Sequence, residues 1–386
     1  MKEIRLGVIG TWGRGRLAVA AHMPKKNVRI VAGADIYEDS LKKFQERIGF
    51  KINTYTDYKK MLDREDLDAV FVTSPDFCHE EHAIAALKKK IPVYLEKPMA
   101  ITIKGCDRIL KTAYENKTKL FLGHNMRYMK FIHKMKELID SGAIGEVKAI
   151  WCRHFIAYGG DAYFRDWHSE RKYSTSLLLQ KGAHDIDVMH WLAGSYTKRV
   201  TGLGGLGVYD KCGRRKKGGP YNVKFDTTHW PPLKQTDFSP KIDVEDLNMI
   251  LMELQNGVKA SYMQCHYTPD SCRNYTIIGT EGRIENYGDH GPKCMIQLWN
   301  KRTEFFRLYG DKTFKITNPL EGHGGADEKI IEGFIDYIRN DKKPFSSPVA
   351  SRYSVAAGFM GAKSIRAGGK PFDVPPLDKK IEHAMR

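Results

Sequence analysis

Two residues whose side chains could donate a hydrogen bond to the oxygen of an alcohol, or accept its proton, lie far apart in the chain. Lys97 stands in the run Glu96-Lys97-Pro98, and His184 lies within Gly182-Ala183-His184-Asp185-Ile186-Asp187. An ammonium can donate a hydrogen bond to an oxygen that gains negative charge, and an imidazole can take a hydroxyl proton near neutral pH. Each residue has an ordinary alternative, a surface lysine and a structural histidine. The pair predicts chemistry only together with the segments that position it.

A glycine-rich turn near the start fits a dinucleotide phosphate. The apolar run Ile4–Ile9 leads into Gly10-Thr11-Trp12-Gly13-Arg14-Gly15. Such a turn lets backbone N–H groups approach a pyrophosphate at a helix N-terminus. Trp12 replaces the second glycine of the usual G-x-G-x-x-G spacing, so its indole must turn away from the pyrophosphate or pack on the cofactor. The alternative is a merely flexible turn.

A carboxylate at the end of the second predicted strand points to the same kind of site. Val28–Ala34 reads as a strand, and Asp35 follows it, 20 residues after Gly15. A carboxylate there can accept hydrogen bonds from the ribose hydroxyls of an adenosine. It would repel a 2′-phosphate, and residues 36–38 contain no arginine to bind one. NAD is therefore favoured over NADP, and the alternative for Asp35 is a turn residue that caps the next helix.

Strands alternate with helices before residue 125. The predicted strands are Ile4–Ile9, Val28–Ala34, Asp68–Thr73, Val93–Leu95 and Lys119–Leu122. The helices between them are Leu17–Met23, Asp39–Ile48, Asp57–Leu62, His79–Lys89 and Ile103–Asn116. This alternation needs crossover connections, so it predicts an α/β domain, a Rossmann-type doubly wound parallel sheet over residues 1–125. Lys97 then lies at the carboxyl end of a strand, where such sheets build their sites.

The pattern changes to strands joined by short turns over residues 126–386. The predicted strands are Val147–Phe155, Val200–Val208, Asn248–Glu253, Val258–His266, Tyr275–Gly279 and Cys294–Leu298. The predicted helices are Phe131–Asp140, His184–Leu192, Asp327–Arg339 and Tyr353–Ala367. Together they indicate an α+β domain with an open, mostly antiparallel sheet. The final helix, about 353–367, is a candidate to pack back on the first domain.

Three segments of this second half could surround a substrate. Tyr158–Arg171 is rich in aromatic, histidine and charged residues, which suits a carbohydrate pocket, with an ordinary packed loop as the alternative. In Gly322–Asp327, either His323 reaches substrate or Asp327 caps the helix that follows. The segment Asp210–Lys241, with the basic cluster Lys211–Lys217 and His229, is a lid, an oligomer contact or a solvated loop.

Composition excludes several other classes of protein. The chain has 386 residues and a net charge of +17, yet its basic residues are scattered and follow no zinc-finger or RNP pattern, so we predict no nucleic-acid partner. No run approaches the roughly 20 apolar residues of a membrane span, and no signal peptide is expected. The seven cysteines include no C-x2-C pair. Reduced thiols, a cytoplasmic location and the absence of a metal site are the predictions.

Taken together, the motifs resemble the glucose-fructose oxidoreductase/inositol dehydrogenase/MocA-like family over nearly the whole chain. The matching stretches are VIGTWGRG, VAGAD, TSPDFCHEEHAIAALKKKIPVYLEKP, LIDSGAIGEV, GAHDIDVMHWLAG and GHGGADEKIIEGFIDYI. The resemblance implies an NAD(P)-dependent oxidoreductase acting on a sugar, a polyol or a derivative. It also implies a second domain whose open sheet forms one wall of the site and often mediates homodimers or homotetramers.

The resemblance also implies residue roles. Lys97 matches the family's catalytic lysine and His184 its catalytic histidine, whereas the aspartate that many members place four residues before the histidine is Gln180 here. Gln180 is then an orienting residue, and Lys181 is a candidate compensating donor, with a solvated lysine as its alternative. The predicted cofactor-binding residues are Gly10, Trp12, Gly13, Arg14, Gly15, Asp35, Ser74, Pro75, His79, Glu96, Lys97 and Asn125. The predicted substrate-binding residues are Tyr163, Arg165, Asp166, Trp167, His168, Asp187 and His323.

Three functions remain open at this point. The first is oxidation of a secondary hydroxyl, with hydride passing to NAD and the proton to His184. The second is a redox-neutral lyase or glycoside-cleaving enzyme that retains NAD and forms a transient keto-sugar. The third is a non-catalytic, cofactor-sensing protein, a hypothesis that Gln180 keeps open while Lys97 and His184 argue against it.

Overall fold

The structure is a computed structural model that describes residues 2–218, 230–289, 293–317, 319 and 322–386. His229, in the basic segment 210–241, lies outside the described residues. The chain forms two compact units, Met1–Tyr128 with Gly325–Arg352 and Pro376–Arg386, and Met129–Gly324 with Tyr353–Pro375. The first unit thus contains two late segments that the prediction of 1–125 did not include, and residues 353–375 belong to the second unit.

The described residues contain the following elements. The strands are β1 Ile4–Ile9, β2 Val28–Ala34, β3 Asn53–Tyr55, β4 Ala69–Val72, β5 Val93–Leu95, β6 Leu120–Leu122, β7 Val147–Phe155, β8 Thr197–Gly205, β9 Leu247–Leu254, β10 Lys259–Cys265, β11 Cys272–Gly279, β12 Arg283–Tyr287, β13 Cys294–Trp299, β14 Lys312–Ile316 and β15 Phe372–Asp373. The helices are α1 Arg16–Val19, α2 Glu38–Ile48, α3 Tyr58–Arg64, α4 His79–Lys88, α5 Ile103–Asn116, α6 Lys130–Asp140, α7 Gly159–Tyr163, α8 Arg171–Ser174, α9 Leu177–Gln180, α10 Gly182–Ala193, α11 Gly322–Asn340, α12 Pro348–Arg366 and α13 Lys379–Met385. None of these helices combines the length and apolar composition needed to cross a bilayer.

The first unit is built on a six-stranded sheet in the order β3-β2-β1-β4-β5-β6, with every pair parallel. This confirms the doubly wound α/β prediction. All four residues of β4 and all three of β5 are buried, which explains why they read as short continuous apolar runs. Phe334 of α11 packs edge-on against Phe71, Tyr94 and Phe121, so a late helix covers the half of this sheet that β4, β5 and β6 form.

Two local predictions in this unit were wrong. The helix expected over 17–23 ends at Val19, because Pro24 disfavours helical backbone at Met23, which instead forms a bridge with Val28. The strand β3 was missed because it has only three residues, none of them buried. It pairs at the sheet edge with the end of β2.

The second unit contains a nine-stranded sheet in the order β14-β13-β12-β11-β7-β10-β9-β8-β15. Only the central pair β7–β10 is parallel, so the prediction of a mostly antiparallel sheet is confirmed. Three strands escaped prediction. β12 buries Glu285 and Asn286 and so lacks apolar alternation, β14 is mostly exposed, and β15 has two residues.

Candidate active site

The glycine turn of the first unit is clamped where three strands end. Gly10 has φ +86°, and a Cβ there would lie 2.5 Å from the backbone nitrogen of Ser74, so only glycine fits. Its N–H donates to the carbonyl of Ala34 (2.8 Å), and its carbonyl accepts from the Thr73 hydroxyl (2.7 Å). Gly13, at φ +53°, has open space where a side chain would be. This cradle of backbone fits the predicted dinucleotide phosphate.

Asp35 ties this turn to the end of β2. Its Oδ2 accepts from the backbone N–H of Thr11 (2.9 Å) and its Oδ1 from that of Tyr37 (3.1 Å). The carboxylate is nevertheless partly exposed, and two oxygens offer about four acceptor sites, so it can still accept from ribose hydroxyls. The two interpretations of Asp35, turn residue and ribose acceptor, are therefore compatible.

Trp12 points away from the protein interior. Its side chain is 48% exposed, and the guanidinium of Arg16 and the ammonium of Lys43 lie 5.5 and 5.1 Å from its ring centre. Such cation–π contacts hold the indole on the outside of the turn. The bulk of Trp12 therefore leaves the glycine backbone at position 13 accessible.

Arg14 connects the turn to two carboxylates. It donates to Glu96 (2.9 Å) and to Asp327 of α11 (3.1 Å), and Asn125 donates to the same Asp327 (2.8 Å). Burial alone would lower the pKa of Arg14, but the charges of Glu96 and Asp327 outweigh burial and raise it. A cleft of about 290 Å³ beside this group is lined by Gly13, Arg14, Arg16, Leu17, Ala20, Asp327 and Glu328.

This geometry corrects the interpretation of Asp327 as a helix cap. The helix α11 begins at Gly322, so Asp327 lies in its second turn and binds Arg14 and Asn125 instead. Sequence reasoning missed this role because 313 residues separate the two partners. His323, in the first turn of the helix, is partly buried and belongs to the second unit.

The loop after β5 carries Lys97. The carboxylate of Glu96 is buried and accepts from the backbone N–H of Lys97 (3.1 Å), and the ring of His79 bridges the carbonyls of Ser74 and Pro98 (2.8 and 2.7 Å). His79 therefore holds the backbone of this loop in place. Lys97 itself is partly buried at the carboxyl end of the sheet. Pro75 precedes the short helical turn Asp76–Cys78 that leads to His79.

The second unit presents its predicted residues along one helical run. Gln180 ends α9, Lys181 follows with helical backbone, and His184 lies in the first turn of α10. Spacings of three and four residues place all three side chains on one side of this run. Each is at most 7% exposed, so the alternative of a solvated Lys181 was wrong. The Lys181 ammonium lies 5.5 and 5.6 Å from the ring centres of Tyr158 and Tyr163.

In the aromatic loop after β7, some residues lie near Lys181 and others stabilise the conformation of the loop. Tyr163 meets His168 edge-on, and Trp167 stacks on His168 with ring centres 3.6 Å apart. Asp166 accepts from the backbone and ring nitrogens of His168, which positions that ring. Arg165 is buried, pairs with Asp161 and donates to the carbonyl of Thr236 (2.7 Å), so it ties the loop to the later segment that contains Thr236.

Asp185 is fully buried behind His184 and has four partners. It accepts from Arg273 (3.0 Å), Tyr262 (2.9 Å) and Tyr275 (2.5 Å), and the Nδ1 of His154 lies 2.9 Å away. Burial alone would raise the pKa of Asp185, but the charge of Arg273 and the hydrogen bonds from His154 and Tyr275 lower it. Asp187, also buried, lies two residues further along α10 and faces another side of the helix. Sequence reasoning missed the role of Asp185 because its partners come from three separate strands.

Among the described residues, no cluster of three histidine, cysteine or acidic side chains could hold a metal ion. The seven cysteines are free thiols.

The parallel sheet with its glycine turn defines the class of the first unit, a nucleotide-binding domain attached to an α/β partner domain. Two family models match the chain, the oxidoreductase family's NAD-binding Rossmann fold over residues 4–124 and the same family's C-terminal alpha/beta domain over 136–374. The chain belongs to this family, the glucose-fructose oxidoreductase/inositol dehydrogenase/MocA-like oxidoreductases.

Individual relatives agree with that assignment. The chain is 26% identical over 351 residues to YteT of Bacillus subtilis, a protein named only by class as an oxidoreductase, with 81% of this chain and 80% of YteT covered. It is 32% identical over 192 residues to inositol 2-dehydrogenase of Azotobacter vinelandii, covering 49% of this chain and about half (54%) of that protein.

Solved structures share the fold at low identity. Levoglucosan dehydrogenase in complex with NADH and levoglucosan superposes with a TM-score of 0.80 at 19% identity, over 97% of this chain and 100% of the other. Myo-inositol 2-dehydrogenase from Lactobacillus plantarum gives 0.73 at 20% identity, over 97% and 100%.

The buried histidine beside Asp185 predicts a pH dependence of stability. Burial, and then the charge of Arg273, lower the pKa of His154 to about 4. A histidine in an unfolded chain has a pKa near 6.5. Between about pH 6.5 and 4, His154 therefore binds a proton in the unfolded chain but not in the folded protein. Folding stability therefore falls as the pH drops through this window. We expect the fall from pH 7 to 4.5 to be about 1–3 kcal/mol larger in the wild type than in His154→Gln.

Urea unfolding curves at several pH values measure this difference. The variant retains a donor for Asp185, and the histidines that do not interact with position 154 contribute equally in both proteins. Identical pH dependences would contradict a neutral, buried His154.

Proposed function

We propose that the protein is an NAD-dependent dehydrogenase that oxidises a secondary hydroxyl of a sugar, a polyol or a related compound. The observation that carries this proposal is the first unit's carboxyl-end cluster, in which the open glycine turn, Asp35 and the Glu96-Lys97 loop follow strands β1, β2 and β5 of one parallel sheet. Membership of the oxidoreductase family supports it, and relatives named as inositol 2-dehydrogenases favour a polyol.

Three side chains of this protein have separate roles in the proposed oxidation of the alcohol. Lys97 donates a hydrogen bond to the substrate oxygen and stabilises its negative charge as the C–H bond breaks. His184 accepts the hydroxyl proton, and Gln180, one helical turn before it, orients the hydroxyl by hydrogen bonding. NAD, when bound, supplies the acceptor of the hydride. The substrate carbon thus loses a hydride and its oxygen a proton, which balances the oxidation to a ketone.

The surroundings of Lys181, three residues before His184, suit a hydroxylated substrate. Tyr158 and Tyr163 offer ring faces for the C–H side of a sugar, and they already hold the ammonium of Lys181. We propose that Tyr163, Trp167 and His168 contact the substrate, whereas Arg165 and Asp166 act by holding the loop. Asp187 and His323 stay predictions for substrate binding. The free thiols accord with the cytoplasmic location that we also propose.

A screen of NADH formation with monosaccharides, inositols, sugar acids and glycosides at alkaline pH tests the activity. We expect net NADH in proportion to ketone product. Turnover without net NADH, with the cofactor retained, would replace the dehydrogenase by a redox-neutral lyase or glycoside-cleaving enzyme. Cofactor binding with no turnover of any compound would indicate a cofactor-sensing protein.

Lys97→Met should lower kcat at least a thousandfold, because the substrate oxygen loses its charged donor. NAD binding, measured by quenching of tryptophan fluorescence, should change less than threefold. The exposed Lys104, at the start of α5, provides a matched control as Lys104→Met, which should retain wild-type turnover. Wild-type kcat in Lys97→Met would remove Lys97 from the mechanism.

Asp35→Ala should weaken the binding of NAD at least tenfold and that of NADP much less, because the lost carboxylate binds the ribose of one and repels the phosphate of the other. Dissociation constants for both cofactors provide the measurement. Asp35→Asn removes the charge but keeps one acceptor oxygen for Thr11 or Tyr37, so it disturbs the turn less than Asp35→Ala does. Equal losses for the two cofactors would refute the preference for NAD.

We further propose that the protein is a homodimer or homotetramer. The outer face of the nine-stranded sheet exposes Leu203, Met249 and Leu251, which are neighbours in the register of β8 and β9. An apolar sheet face of this kind is typical of a self-association surface.

Leu251→Arg should therefore reduce the mass measured by light scattering to that of a smaller species. Leu233→Arg, which changes a similarly exposed leucine outside the sheet, should leave the mass unchanged. A monomeric wild type would contradict the proposal.

A further inference from the structure

One cross-strand row on the inner face of the second sheet is polar throughout. Register pairs Asn248 of β9 with Gln264 of β10, Gln264 with His154 of β7, and His154 with Arg273 of β11. All four side chains are buried. The next two rows, moving away, are Ile250-Tyr262-Cys152-Tyr275 and Met252-Ala260-Ile150-Ile277. The inner face thus changes from apolar to polar along the strands, and burying such a row is costly without hydrogen bonds.

Half of the polar row is satisfied by the protein itself. His154 and Arg273 both meet Asp185, which approaches from α10. The other half differs. Within the described part of the chain, the buried Oδ1 of Asn248 and the buried Nε2 of Gln264 have no hydrogen-bond partner.

The orientation of the Gln264 amide does not remove this deficit. Its other amide atom, Oε1, lies 3.0 Å from the hydroxyl of Tyr262, whose single proton also has the carboxylate of Asp185 at 2.9 Å. If the amide is turned over, the nitrogen donates to Tyr262 and the oxygen takes the position without a partner. One polar atom of Gln264 therefore needs a partner in either orientation.

His266 is another buried residue whose polar side-chain atoms have no hydrogen-bond partner among the described residues. It follows Gln264 by two residues, is fully buried, and neither of its ring nitrogens has a hydrogen-bond partner among the described residues. Tyr163 and Phe164 meet its ring edge-on at 5.4 and 5.8 Å. Burial and the charge of Lys181 lower the pKa of His266, so the ring is neutral and offers one donor and one acceptor. A hydroxyl group can both donate and accept, so it can bind either of these two nitrogens.

These groups lie beneath the helical turn that carries His184. Gly182, two residues before His184, packs so closely on the sheet that a Cβ there would lie 3.0 Å from the ring of Tyr262 and 3.6 Å from the Oε1 of Gln264. The absence of a side chain at position 182 lets α10 approach the polar row. Tyr163, a neighbour of His266, also faces the Lys181 ammonium.

We propose that His266 and Gln264, with Asn248 beside them, form a hydroxyl-binding subsite that selects polyhydroxylated, uncharged substrates. The subsite would hold hydroxyls at a distance from the carbon that is oxidised, and it rests on the proposed function. These residues determine specificity and take no part in proton transfer. The sequence could not single them out, because alternation alone marks positions 264 and 266 only as inward-facing.

Replacement of His266 tests the subsite against a structural role. His266→Phe removes two polar atoms but no hydrogen bond, so the variant should unfold at a temperature equal to or above that of the wild type. His190→Phe is the matched control, since His190 is an equally buried histidine of the same unit whose Nε2 contacts the hydroxyl of Thr197 (2.7 Å). That control should unfold at a lower temperature.

Binding is followed by the rise in unfolding temperature on adding myo-inositol, D-glucose or levoglucosan at 100 mM to the NADH-saturated protein. His266→Phe and the near-isosteric Gln264→Met should each lose at least half of the rise seen in the wild type. For any compound that is oxidised, KM should increase at least tenfold, with a smaller change in kcat. The variants should also discriminate less between that compound and its deoxy analogues.

The outcomes separate the subsite from the activity. A wild-type shift that persists unchanged in both variants would overturn the subsite alone and assign these atoms to ordered water. A destabilised His266→Phe with an unchanged shift in Gln264→Met would likewise make His266 structural and overturn it. If no polyol shifts or is oxidised by the wild type while NADH binds, the proposed function fails and the subsite fails with it.

Discussion

The buried carboxylate of Asp185 is the constraint on which the second unit depends. It gathers hydrogen bonds from three strands, β7, β10 and β11, at the start of α10. A buried ion of this kind is stable only when its partners all remain in place, so the helix and the sheet are held in one relative arrangement. Because His184 is the preceding residue, the same carboxylate fixes the backbone that carries the proposed base. The position of His184 is thus set from behind by groups that the reaction does not use.

A similar arrangement operates in the first unit. The carboxylate of Glu96 has little exposure to solvent, and Arg14, Tyr94 and the backbone of Lys97 surround it with donors. Arg14 in turn binds Asp327 of α11, whose Phe334 covers the sheet. A segment from the end of the chain therefore completes the cleft that the first 20 residues begin. In both units a carboxylate neighbours the residue with the proposed chemical role and restrains its backbone.

The two halves of the polar row in the second sheet differ in whether protein groups supply hydrogen-bond partners for the buried side chains. Protein groups meet the needs of His154 and Arg273, and that half acts as structure. Asn248, Gln264 and His266 are buried with polar atoms that the described residues do not satisfy, which proteins tolerate mainly where a ligand or water completes them. Burying these atoms without protein partners lowers the folding stability, but it leaves them able to bind hydroxyl groups of a substrate.

The sequence by itself determined the alternation of strands and helices, because apolar periodicity depends only on which face of each element is buried. It also located the glycine turn, Asp35, Lys97 and His184, whose spacing to a strand or helix end is local. Only the tertiary structure decided that Lys181 is buried, that Asp327 binds Arg14, and that Asp185 joins three strands. These facts depend on strand register and on contacts between residues up to 313 positions apart, and no local pattern records which distant side chain will meet a given charge.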